Sequence, residues 1–529
     1  MIRHGVLGLL IACALPLQAQ DLVFSPGILA NDITNISAAG ESVWVGPYLN
    51  VSHDGGETWL AANVDSLRGF ASSVYSLEVK GQHIWGGLGG NYVRSGNDGQ
   101  SQLVHEIRGL VHSSDGGNTW SYLSHLPPID SDPVSTGLID TPDDTLITYG
   151  SVELSTLPIT VSALSPPWDI SFDLTNETLW VAGQLAGIRR STDLGRTWER
   201  IVLPPDTTRY LAPELEYDFP FTVQPVGIAP DQFHGLNFQA FAVLVDQTGT
   251  IWAGTAGGLN RSEDGGVRWH HYTTEDGLLG NWIISIEEQP RGAQPPAIWA
   301  TNWLGNGRNE RYGVSVTRDG GLSFETALQG EQCYDFGFDG PRVYIACDRG
   351  LYRSTDDGYT FLLENDFVDH RDPSRSMRPG AAVYTVEVVG NAVWVGSGDG
   401  LFKSLDHGKS WQIYRTAVPL DPSDLSPIIP SEQVPRVSAY AYPNPFSPSS
   451  DRLTRLRFDL SNSEAVTIRI FDFGMTLVRE IFFSGGAAGA NEVAWDGTDE
   501  GGVRLANGTY FYAIQSRKDT FWGKILIID

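Results

Sequence analysis

Short apolar runs alternate with polar turns along almost the whole chain, and no long stretch places apolar residues at helical spacing. The runs are rich in β-branched and aromatic residues, as in the segments ISFDL, FAVLV and VYTVEV that begin at Ile170, Phe241 and Val383. Runs of this length and composition, bounded by turn-forming residues, predict β-strands. The 59 glycines and 16 tryptophans in 529 residues agree with an all-β protein made of many strands and turns.

One of these strands recurs seven times with an aromatic residue followed by small residues, as in VWVG around Trp44 and IWAG around Trp252. Another apolar run precedes each copy, a third strand follows it before the polar turn, and a fourth strand leaves that turn, so one repeat contains four predicted strands. The seven strand aromatics are Trp44, Trp85, Trp180, Trp252, Trp299, Tyr344 and Trp394.

A polar octamer follows each of these strands, with the pattern Ser/Thr-x-Asp-x-Gly-x-Thr/Ser-aromatic and one departure at Arg268. Its Asp can accept backbone N–H bonds across a turn, and its Gly can adopt the positive φ that other residues avoid. The octamers begin at Ser52, Ser113, Ser191, Ser262, Thr317, Ser354 and Ser404.

These octamers resemble the Asp-box, or BNR repeat, of sialidase-type and related β-propellers. The resemblance implies one blade per octamer, and seven repeats over about 395 residues give about 56 residues for each blade. We therefore predict a seven-bladed β-propeller over residues 23–418. Residues 135–150 leave open an eighth, degenerate blade without an octamer.

The repeat at residues 250–284 also resembles the propeller repeats in the periplasmic sensor region of hybrid two-component regulators. That resemblance covers one blade, and no kinase, membrane helix or response-regulator segment accompanies it. It therefore argues for a propeller and against a sensor kinase.

The octamer carboxylates could be mistaken for a catalytic array. In a four-stranded up-and-down blade the octamers lie around the periphery of one face, too far apart to converge on one ligand. We therefore predict a structural role for Asp54, Asp115, Asp193, Asp264, Asp319, Asp356 and Asp406.

The first 20 residues have the features of a signal peptide: a basic start at Arg3, an apolar core up to Leu17 and a segment, Leu17-Gln18-Ala19, that resembles a signal-peptidase site. Residues 10–13 also resemble a bacterial lipobox, which would make Cys13 a lipid anchor. The residues after Cys13 stay apolar, unlike a lipoprotein tether, so we expect a secreted or cell-surface protein. No later run is long and apolar enough to span a bilayer.

A Pro-rich stretch at residues 419–435 predicts a linker, and residues 436–529 read as a β-sandwich of alternating strands. This segment resembles the FlgD-like immunoglobulin-fold domain and, in outline, the C-terminal sorting domain of the type IX secretion system. The resemblance implies sorting or surface attachment through secretion machinery, and the alternative is a structural cap. The matching motifs are YPNPF at Tyr442, WDG at Trp495 and NGTYFY at Asn507.

Long insertions predict where a ligand would bind. Sixty residues separate Trp120 from Trp180 and 54 separate Trp198 from Trp252, and both insertions leave the face opposite the octamers. Long loops on a rigid scaffold often carry binding, and aromatic residues beside polar ones suit a glycan or a protein ligand. The candidate ligand-binding residues are Tyr210, Glu214, Glu216, Tyr217, Asp218, Trp303, Arg308 and Arg311.

The net charge and the motifs of the sequence argue against several classes of function. A net charge of −28 without a basic stripe argues against nucleic acid as a partner. No sialidase-type arginine motif, Ser-His-Asp signature, phosphate loop or metal-ligand spacing is recognisable, so we expect no metal, no cofactor and no catalytic residues. Non-catalytic recognition is the preferred function, and a glycoside hydrolase on the face opposite the octamers is the alternative.

Cys333 and Cys347 lie symmetrically about Gly340 in a predicted hairpin. A turn at residues 339–341 would place the two cysteines directly opposite each other on paired strands. A disulfide and two reduced, buried thiols are both consistent with this spacing.

Overall fold

The structure, a computed structural model, describes residues 22–25, 27–62, 73–95, 101–126, 134–141, 145–217, 219–222, 235–305, 307, 309–371, 375–416, 439–449 and 451–529. The chain divides into two compact units, Met1–Arg375 with Gly380–Arg415 and Ser376–Pro379 with Thr416–Asp529. The predicted signal peptide, Cys13 and the predicted linker at residues 419–435 lie outside the described residues.

The first unit contains seven antiparallel sheets, the blades of a β-propeller. Blade 1 consists of β1 (Leu22–Ser25), β2 (Ile36–Ala39), β3 (Ser42–Val45), β4 (Asn50–Ser52) and β5 (Trp59–Ala62). Blade 2 consists of β6 (Ser73–Lys80), β7 (His83–Ser95), β8 (Ser101–Ser113) and β9 (Ser121–Leu123). A separate hairpin of β10 (Leu146–Tyr149) and β11 (Val152–Ser155) precedes blade 3, which consists of β12 (Asp169–Asp173), β13 (Thr178–Gly183), β14 (Gly187–Ser191) and β15 (Glu199–Arg200).

The remaining four blades repeat this plan. Blade 4 consists of β16 (Tyr210–Leu211), β17 (Ala240–Val245), β18 (Ile251–Thr255), β19 (Leu259–Ser262) and β20 (Trp269–Tyr272). Blade 5 consists of β21 (Trp282–Arg291), β22 (Gln294–Trp303), β23 (Gly313–Thr317) and β24 (Glu325–Ala327). Blade 6 consists of β25 (Cys333–Asp339), β26 (Arg342–Cys347), β27 (Gly350–Ser354) and β28 (Leu362–Glu364). Blade 7 consists of β29 (Val383–Val389), β30 (Ala392–Ser397), β31 (Gly400–Ser404) and β32 (Gln412–Tyr414). Two single turns of 3₁₀ helix lie at Leu236–Phe238 and Thr274–Asp276.

Within each blade the strands pair in chain order, and blades 1 and 4 each gain one extra outer strand, β1 and β16. Apart from these two outer strands, the first strand of each blade is innermost and packs against the innermost strand of the next blade, and β29 packs against β2 to close the ring. We use "first strand" below for these innermost strands: β2, β6, β12, β17, β21, β25 and β29. At the junction that closes the ring, the Ile33 amide donates to the carbonyl of Ser397 at 2.9 Å. The prediction of a seven-bladed propeller is therefore confirmed.

The eighth blade left open at residues 135–150 is not formed. The described part of that insertion contributes only the two-stranded sheet of β10 and β11, and β6 packs directly against β12. The Tyr149 hydroxyl donates to the carbonyl of Val267 at 2.7 Å, and Tyr149 and Leu154 share a buried cluster with Trp269 of blade 4. The insertion therefore buries its apolar side chains against an existing blade instead of forming a new one.

The strand aromatics are buried, and four of them, Trp44, Trp180, Trp299 and Trp394, closely approach a glycine in the octamer of the following blade. A Cβ added at Gly117 would lie 2.5 Å from the Trp44 ring, and Gly117 has a φ of +94°. The same octamer position in blade 6, Gly358, faces Trp299 of blade 5. Only glycine provides both this backbone conformation and this close approach, which explains why the octamer glycine and the strand aromatic recur together.

A cation on the third strand joins several neighbouring blades. The Arg190 guanidinium lies 5.5 Å from the Trp180 ring centroid and donates to the carbonyl of Gly265 in the next octamer at 2.5 Å. Lys403 lies 5.2 Å from the Trp394 ring and donates to Gly55 in the same way. These contacts combine a cation–π interaction with a charged hydrogen bond across a blade junction.

Cys333 and Cys347 are directly opposite each other in the register of β25 and β26, and a disulfide joins them. Of the two alternatives that the spacing left open, the structure therefore has the bridge. It closes the end of the hairpin away from the octamer, with both cysteines fully buried.

The second unit is a β-sandwich. One sheet consists of β33 (Ala439–Tyr442), β34 (Thr454–Leu460) and β37 (Gly489–Trp495). The other consists of β35 (Val466–Phe471), β36 (Leu477–Phe483), β38 (Gly508–Gln515) and β39 (Thr520–Ile527). Alternate residues of β35, such as Ile468 and Ile470, are buried in the core between the sheets with Phe458 and Tyr512, as the period-two pattern predicts.

Candidate functional site

The octamer carboxylates are occupied within their own turns. In blade 1, Asp54 Oδ1 accepts the Ser52 hydroxyl and the Thr58 amide, each at 2.9 Å, and Oδ2 accepts the Thr58 hydroxyl at 2.6 Å. The other octamers repeat this arrangement, with Arg268 replacing the hydroxyl in blade 4. These bonds, the Thr58 side chain first, lower the pKa of Asp54 to about 2. The geometry supports a structural role for the octamers.

Four of the candidate ligand-binding residues lie at the outer edge of blade 4. Tyr210 is in β16, with its ring 4.8 Å from that of His270, and the Tyr217 hydroxyl donates to the carbonyl of Tyr210 at 3.1 Å. Both Glu214 oxygens lie 3.1 Å from the guanidinium of Arg268, an octamer residue. Glu216 is exposed in the same segment.

This placement corrects the expectation that the insertion carrying these residues covers the face opposite the octamers. Leu211 and Phe221 are buried with Trp269, so the segment is held against the outer strands of blade 4 by its own apolar side chains. Glu214 consequently reaches the octamer face. Asp218 and Arg308 lie outside the described residues, and Arg311 is exposed with its guanidinium bonded to the carbonyl of Glu310 at 2.8 Å.

Trp303, the remaining candidate, belongs to a ring of aromatic side chains at the mouth of the central channel. Each first strand begins at the face opposite the octamers, because the turn to the second strand and the octamer lie together at the other end. Six blades place an aromatic residue at or near that beginning, and blade 1 has Asn35 there instead. With Trp303 these residues form what we call the aromatic collar: Tyr75, Trp168, Phe241, Trp282, Trp303, Tyr334 and Tyr384.

The collar is continuous from blade 2 to blade 7. Ring centroids of neighbouring members are 5.4 Å apart for Tyr75 and Trp168, and 5.3 Å apart for Phe241 and Trp282. Trp303 bridges blades 5 and 6, at 6.2 Å from Trp282 and 5.7 Å from Tyr334. The other centroid separations are 6.5 Å for Trp168–Phe241 and 5.4 Å for Tyr334–Tyr384.

Hydrogen bonds hold the collar residues Tyr75 and Trp303 in place, the second of them next to the disulfide. The Tyr75 hydroxyl lies 2.8 Å from Asn91 Oδ1 and 2.8 Å from His105 Nδ1. The Trp303 indole N–H donates to the carbonyl of Cys333 at 2.9 Å, next to the disulfide. Except for Phe241, which is buried, the collar side chains are only partly buried. The collar is thus a preformed aromatic surface that remains accessible.

A cavity of about 500 Å³ continues from the collar into the channel. Acidic side chains from five first strands line or flank it, and we call them the channel carboxylates: Glu78, Asp169, Glu287, Asp335 and Glu387. Lys80 stands at the octamer end of β6, where the negative charge of Glu78 raises its pKa.

Burial raises the pKa values of these carboxyl groups, and repulsion from neighbouring carboxylates adds to it at Asp169, Glu287 and Glu387. The pKa reaches about 8 for Asp169 and about 8 for Glu387, and burial raises that of Asp335 to about 6. Hydrogen bonds oppose the shift in part, since Asp169 Oδ2 accepts the Val243 amide of the next blade at 2.9 Å. The channel is therefore an environment in which ionisation of these carboxyl groups is unfavourable.

A second cavity, of about 460 Å³, lies at blades 4 and 5 and is lined by polar residues including Asp206, Arg209, His271 and Glu310. Arg209 is bonded there to Glu275 and Asp276, each at 2.6 Å, and His271 to two backbone carbonyls. Because these groups satisfy one another, the collar is the stronger candidate site.

Sequence reasoning found Trp303 but missed the rest of the collar. The available signal was an aromatic residue opening the first strand of six repeats, as in YSLEV, WDISF and YTVEV. An aromatic at the start of an apolar run looks like a core residue, and only the closed ring shows that these positions face a channel. Among the described residues, no three His, Cys, Asp or Glu side chains are arranged to hold a metal ion.

The described part of the chain contains no helix of the length and hydrophobicity needed to cross a membrane. In the second unit, an exposed aromatic patch covers the outer face of the four-stranded sheet. The Phe471 and Trp522 rings are stacked at 5.8 Å, and the Phe473 and Phe511 rings lie 6.3 Å apart.

Comparisons with known proteins bear mainly on the C-terminal unit. The FlgD Ig-like domain family matches residues 448–520, which confirms the resemblance predicted for this part of the chain. A comparison with curated proteins gave no match.

Several solved structures are similar to the chain at low identity. PorZ of Porphyromonas gingivalis, described as a bacterial surface component of the type IX secretion system, is 14% identical over 94% of this chain and 75% of that one, with a TM-score of 0.33. YCF48 from Cyanidioschyzon merolae is 15% identical over 80% and 95% of the two chains, with a TM-score of 0.35. The extracellular domain of BT4673 from Bacteroides thetaiotaomicron is 13% identical over 94% and 75%, with a TM-score of 0.31.

Proposed function

We propose that this chain is an exported, non-catalytic recognition protein whose propeller binds a glycan or protein ligand at the aromatic collar. The observation that carries the proposal is the collar itself: a continuous series of seven aromatic side chains, four of which, Tyr75, Trp168, Tyr334 and Tyr384, line a cavity of about 500 Å³. Concave, largely preformed sites with aromatic walls and a few polar groups are where proteins bind ligands. On the octamer face, the carboxylates of the described octamers are bonded within their own turns.

Export and attachment are the second part of the proposal. The basic start and apolar core of residues 1–20 support Sec-type export. The C-terminal FlgD Ig-like domain supports a sorting or attachment role outside the cytoplasm, and its exposed Phe471–Trp522 patch provides a surface for the machinery or the envelope component that it would contact.

A binding experiment tests the recognition function. The wild-type protein, a Trp168→Ala variant and a Tyr359→Ala variant are applied to a glycan array and to a synthetic peptide array. Tyr359 is an exposed aromatic in the octamer of blade 6 and serves as the matched control. We expect ligands that are lost with Trp168→Ala and kept with Tyr359→Ala, whereas ligands unaffected by the collar substitution would contradict the proposal.

A deletion of residues 436–529 tests the sorting role. We expect the truncated protein to accumulate inside the envelope while the full-length protein is delivered outside it. Extracellular delivery at the full-length level would remove the sorting function and leave the domain as a structural cap.

One observation favours glycoside hydrolysis as a second candidate. Hydrolases of this kind use paired carboxyl groups, one with a raised pKa, beside an aromatic-lined sugar site. Asp335 and Glu387 are neighbouring channel carboxylates with raised pKa values. Turnover of chromogenic glycosides by the wild-type protein, lost in Glu387→Gln, would establish this candidate, and a full panel without turnover would exclude it.

A further inference from the structure

We propose that the collar and the cavity beneath it take a positively charged side chain, lysine or arginine, presented by a basic segment of a protein partner. This inference rests on the proposed recognition function and names its ligand class. It follows from what the collar is made of and from the charge of the channel that it surrounds.

The collar provides the first contact. Aromatic rings attract a cation to their faces, and the attraction is stronger where water is excluded. Trp168, Tyr334 and Tyr384 both belong to the collar and line the cavity, so a group entering the cavity passes these rings. Lysine and arginine have long apolar stems that can pack on aromatic side chains while the charge continues inward.

The channel carboxylates provide the second contact, deeper in the channel than the collar rings. Asp169 and Asp335 directly follow the collar residues Trp168 and Tyr334 in sequence. Glu387 lies three residues below Tyr384, about 10 Å along the strand at about 3.3 Å per residue. An entering charge thus meets one carboxylate level just inside the collar and another farther down.

Charge complementarity selects a cation over a neutral sugar. The cavity and its edge hold six carboxyl groups, the five channel carboxylates and Glu288, against the Lys80 ammonium, whose side chain is 51% exposed at the octamer end of β6. Repulsion from Asp335, Asp169 and Glu387 adds to burial in raising the pKa of Glu287. A bound cation would relieve this repulsion, whereas a neutral ligand would leave it unchanged.

The same argument predicts a pH dependence for binding. At about pH 6 some of the channel carboxyl groups, such as Asp169 and Glu387, are protonated, so a cation must displace their protons to bind. By about pH 8 more of these groups are already ionised. Affinity for a cation should therefore rise between about pH 6 and pH 8. The titratable groups facing this space from the first strands are Glu78, Lys80, Asp169, Glu287, Glu288, Asp335 and Glu387.

The test uses the full chain and a hexalysine peptide, with hexa-acetyl-lysine as the uncharged control, followed by calorimetry and tryptophan fluorescence. We expect hexalysine to bind and acetylation to weaken it by at least about tenfold. Glu387→Gln and Glu287→Gln should each weaken it by about three- to tenfold and reduce the number of protons released at pH 7. Glu41→Gln, at an exposed site in the first-to-second strand turn of blade 1, should change nothing.

The other outcomes each decide the question. Equal binding of the acetylated peptide would overturn the proposal, as would spermine binding more tightly than hexalysine, which would indicate a free amine as the ligand. A glycan that binds through the collar without dependence on Glu387 or Glu287 would also overturn it while leaving the proposed recognition function intact. If no arrayed ligand depends on Trp168, both proposals fail.

Discussion

The Lys403 ammonium donates to the carbonyl oxygen of Gly55 across 2.6 Å, although 348 residues separate the two in sequence. The bond joins blade 7 to the octamer of blade 1, and Lys403 stacks on Trp394 at the same junction. The Trp59 and Trp394 rings, 6.2 Å apart, complete the contact. Side chains acting between complete blades therefore contribute to closing the ring, together with the backbone bond from Ile33 to Ser397.

Removing this bond should loosen the closure. We expect Lys403→Met, which keeps an apolar stem over Trp394, to lower the free energy of unfolding by about 1.5–3 kcal/mol, the usual contribution of a charged hydrogen bond. Lys409→Met, on an exposed octamer residue of the same blade, is the control and should stay within about 0.5 kcal/mol. Urea denaturation measures both, and equal midpoints for the two variants would contradict the role given to Lys403.

The octamer aspartates should make the propeller sensitive to acid. Hydrogen bonds, first from Ser354 and then from Thr360, lower the pKa of Asp356 to about 2. Because the folded pKa lies below the unfolded value of about 3.9, its stabilisation is complete above about pH 4 and is lost as the pH falls towards 2. Asp356→Asn should therefore lower the thermal midpoint at pH 6 and narrow its difference from the wild type near pH 2.

Thermal melts between pH 2 and pH 6 check this expectation. Glu41→Gln, outside the octamers, serves as the control. A gap between wild type and Asp356→Asn that stays constant over the whole range would show that the carboxylate's charge is not what stabilises the turn.

Asp140 forms a buried ion cluster with two arginines of blade 3, and we expect a substitution of Asp140 to destabilise the protein strongly. Asp140 is 4% exposed and pairs with Arg189 at 2.7 Å and with Arg200. Removing one partner of a buried pair typically costs about 3–5 kcal/mol, because the opposite charge stays buried without compensation. We expect Asp140→Asn to show a loss of that size in urea denaturation.

The exposed pair of Arg209 and Glu275 gives the comparison, with a separation of 2.6 Å but side chains 60% and 78% exposed. Glu275→Gln should leave the free energy of unfolding almost unchanged, because solvent screens an exposed pair. Comparable losses for the two substitutions would mean that burial does not determine the strength of the Asp140 cluster.

The disulfide should matter for both stability and the collar. Cross-linking across 14 residues restricts the unfolded chain by about 3 kcal/mol in the loop-entropy description. A Cys333→Ser/Cys347→Ser variant should lose about that much, and the emission of Trp303, whose indole bonds to the Cys333 carbonyl, should shift to longer wavelength. The wild-type protein under reducing conditions should behave like the variant. Unchanged emission would show that the disulfide does not affect the structure of the collar.

The fold could be predicted from the sequence because its signals are local. Each octamer and each strand aromatic, such as Trp44 with Gly117 of the next blade, is specified by short-range chemistry and repeated seven times. The C-terminal sandwich was likewise visible in alternating strands and a few motifs. Repetition makes such weak local signals reliable.

The site was harder to predict because it depends on where separate blades meet. Loop length placed Glu214 at a binding face, but the apolar residues Leu211 and Phe221 hold that insertion against the outer edge of blade 4. The collar residues, by contrast, look like core positions in each single repeat. They become a site only when six first strands are brought around one axis.

The order of strands within the blades has a consequence for how the protein matures. Every blade is built from strands adjacent in sequence, so the sheet hydrogen bonds of blades 1 to 6 require nothing that is synthesised after residue 364. A chain emerging from a translocation pore with its N-terminus first could complete six blades in turn, since local contacts form soonest. Blade 7 would then form last, between the complete blades 6 and 1. Its docking alone would close the ring and the central channel.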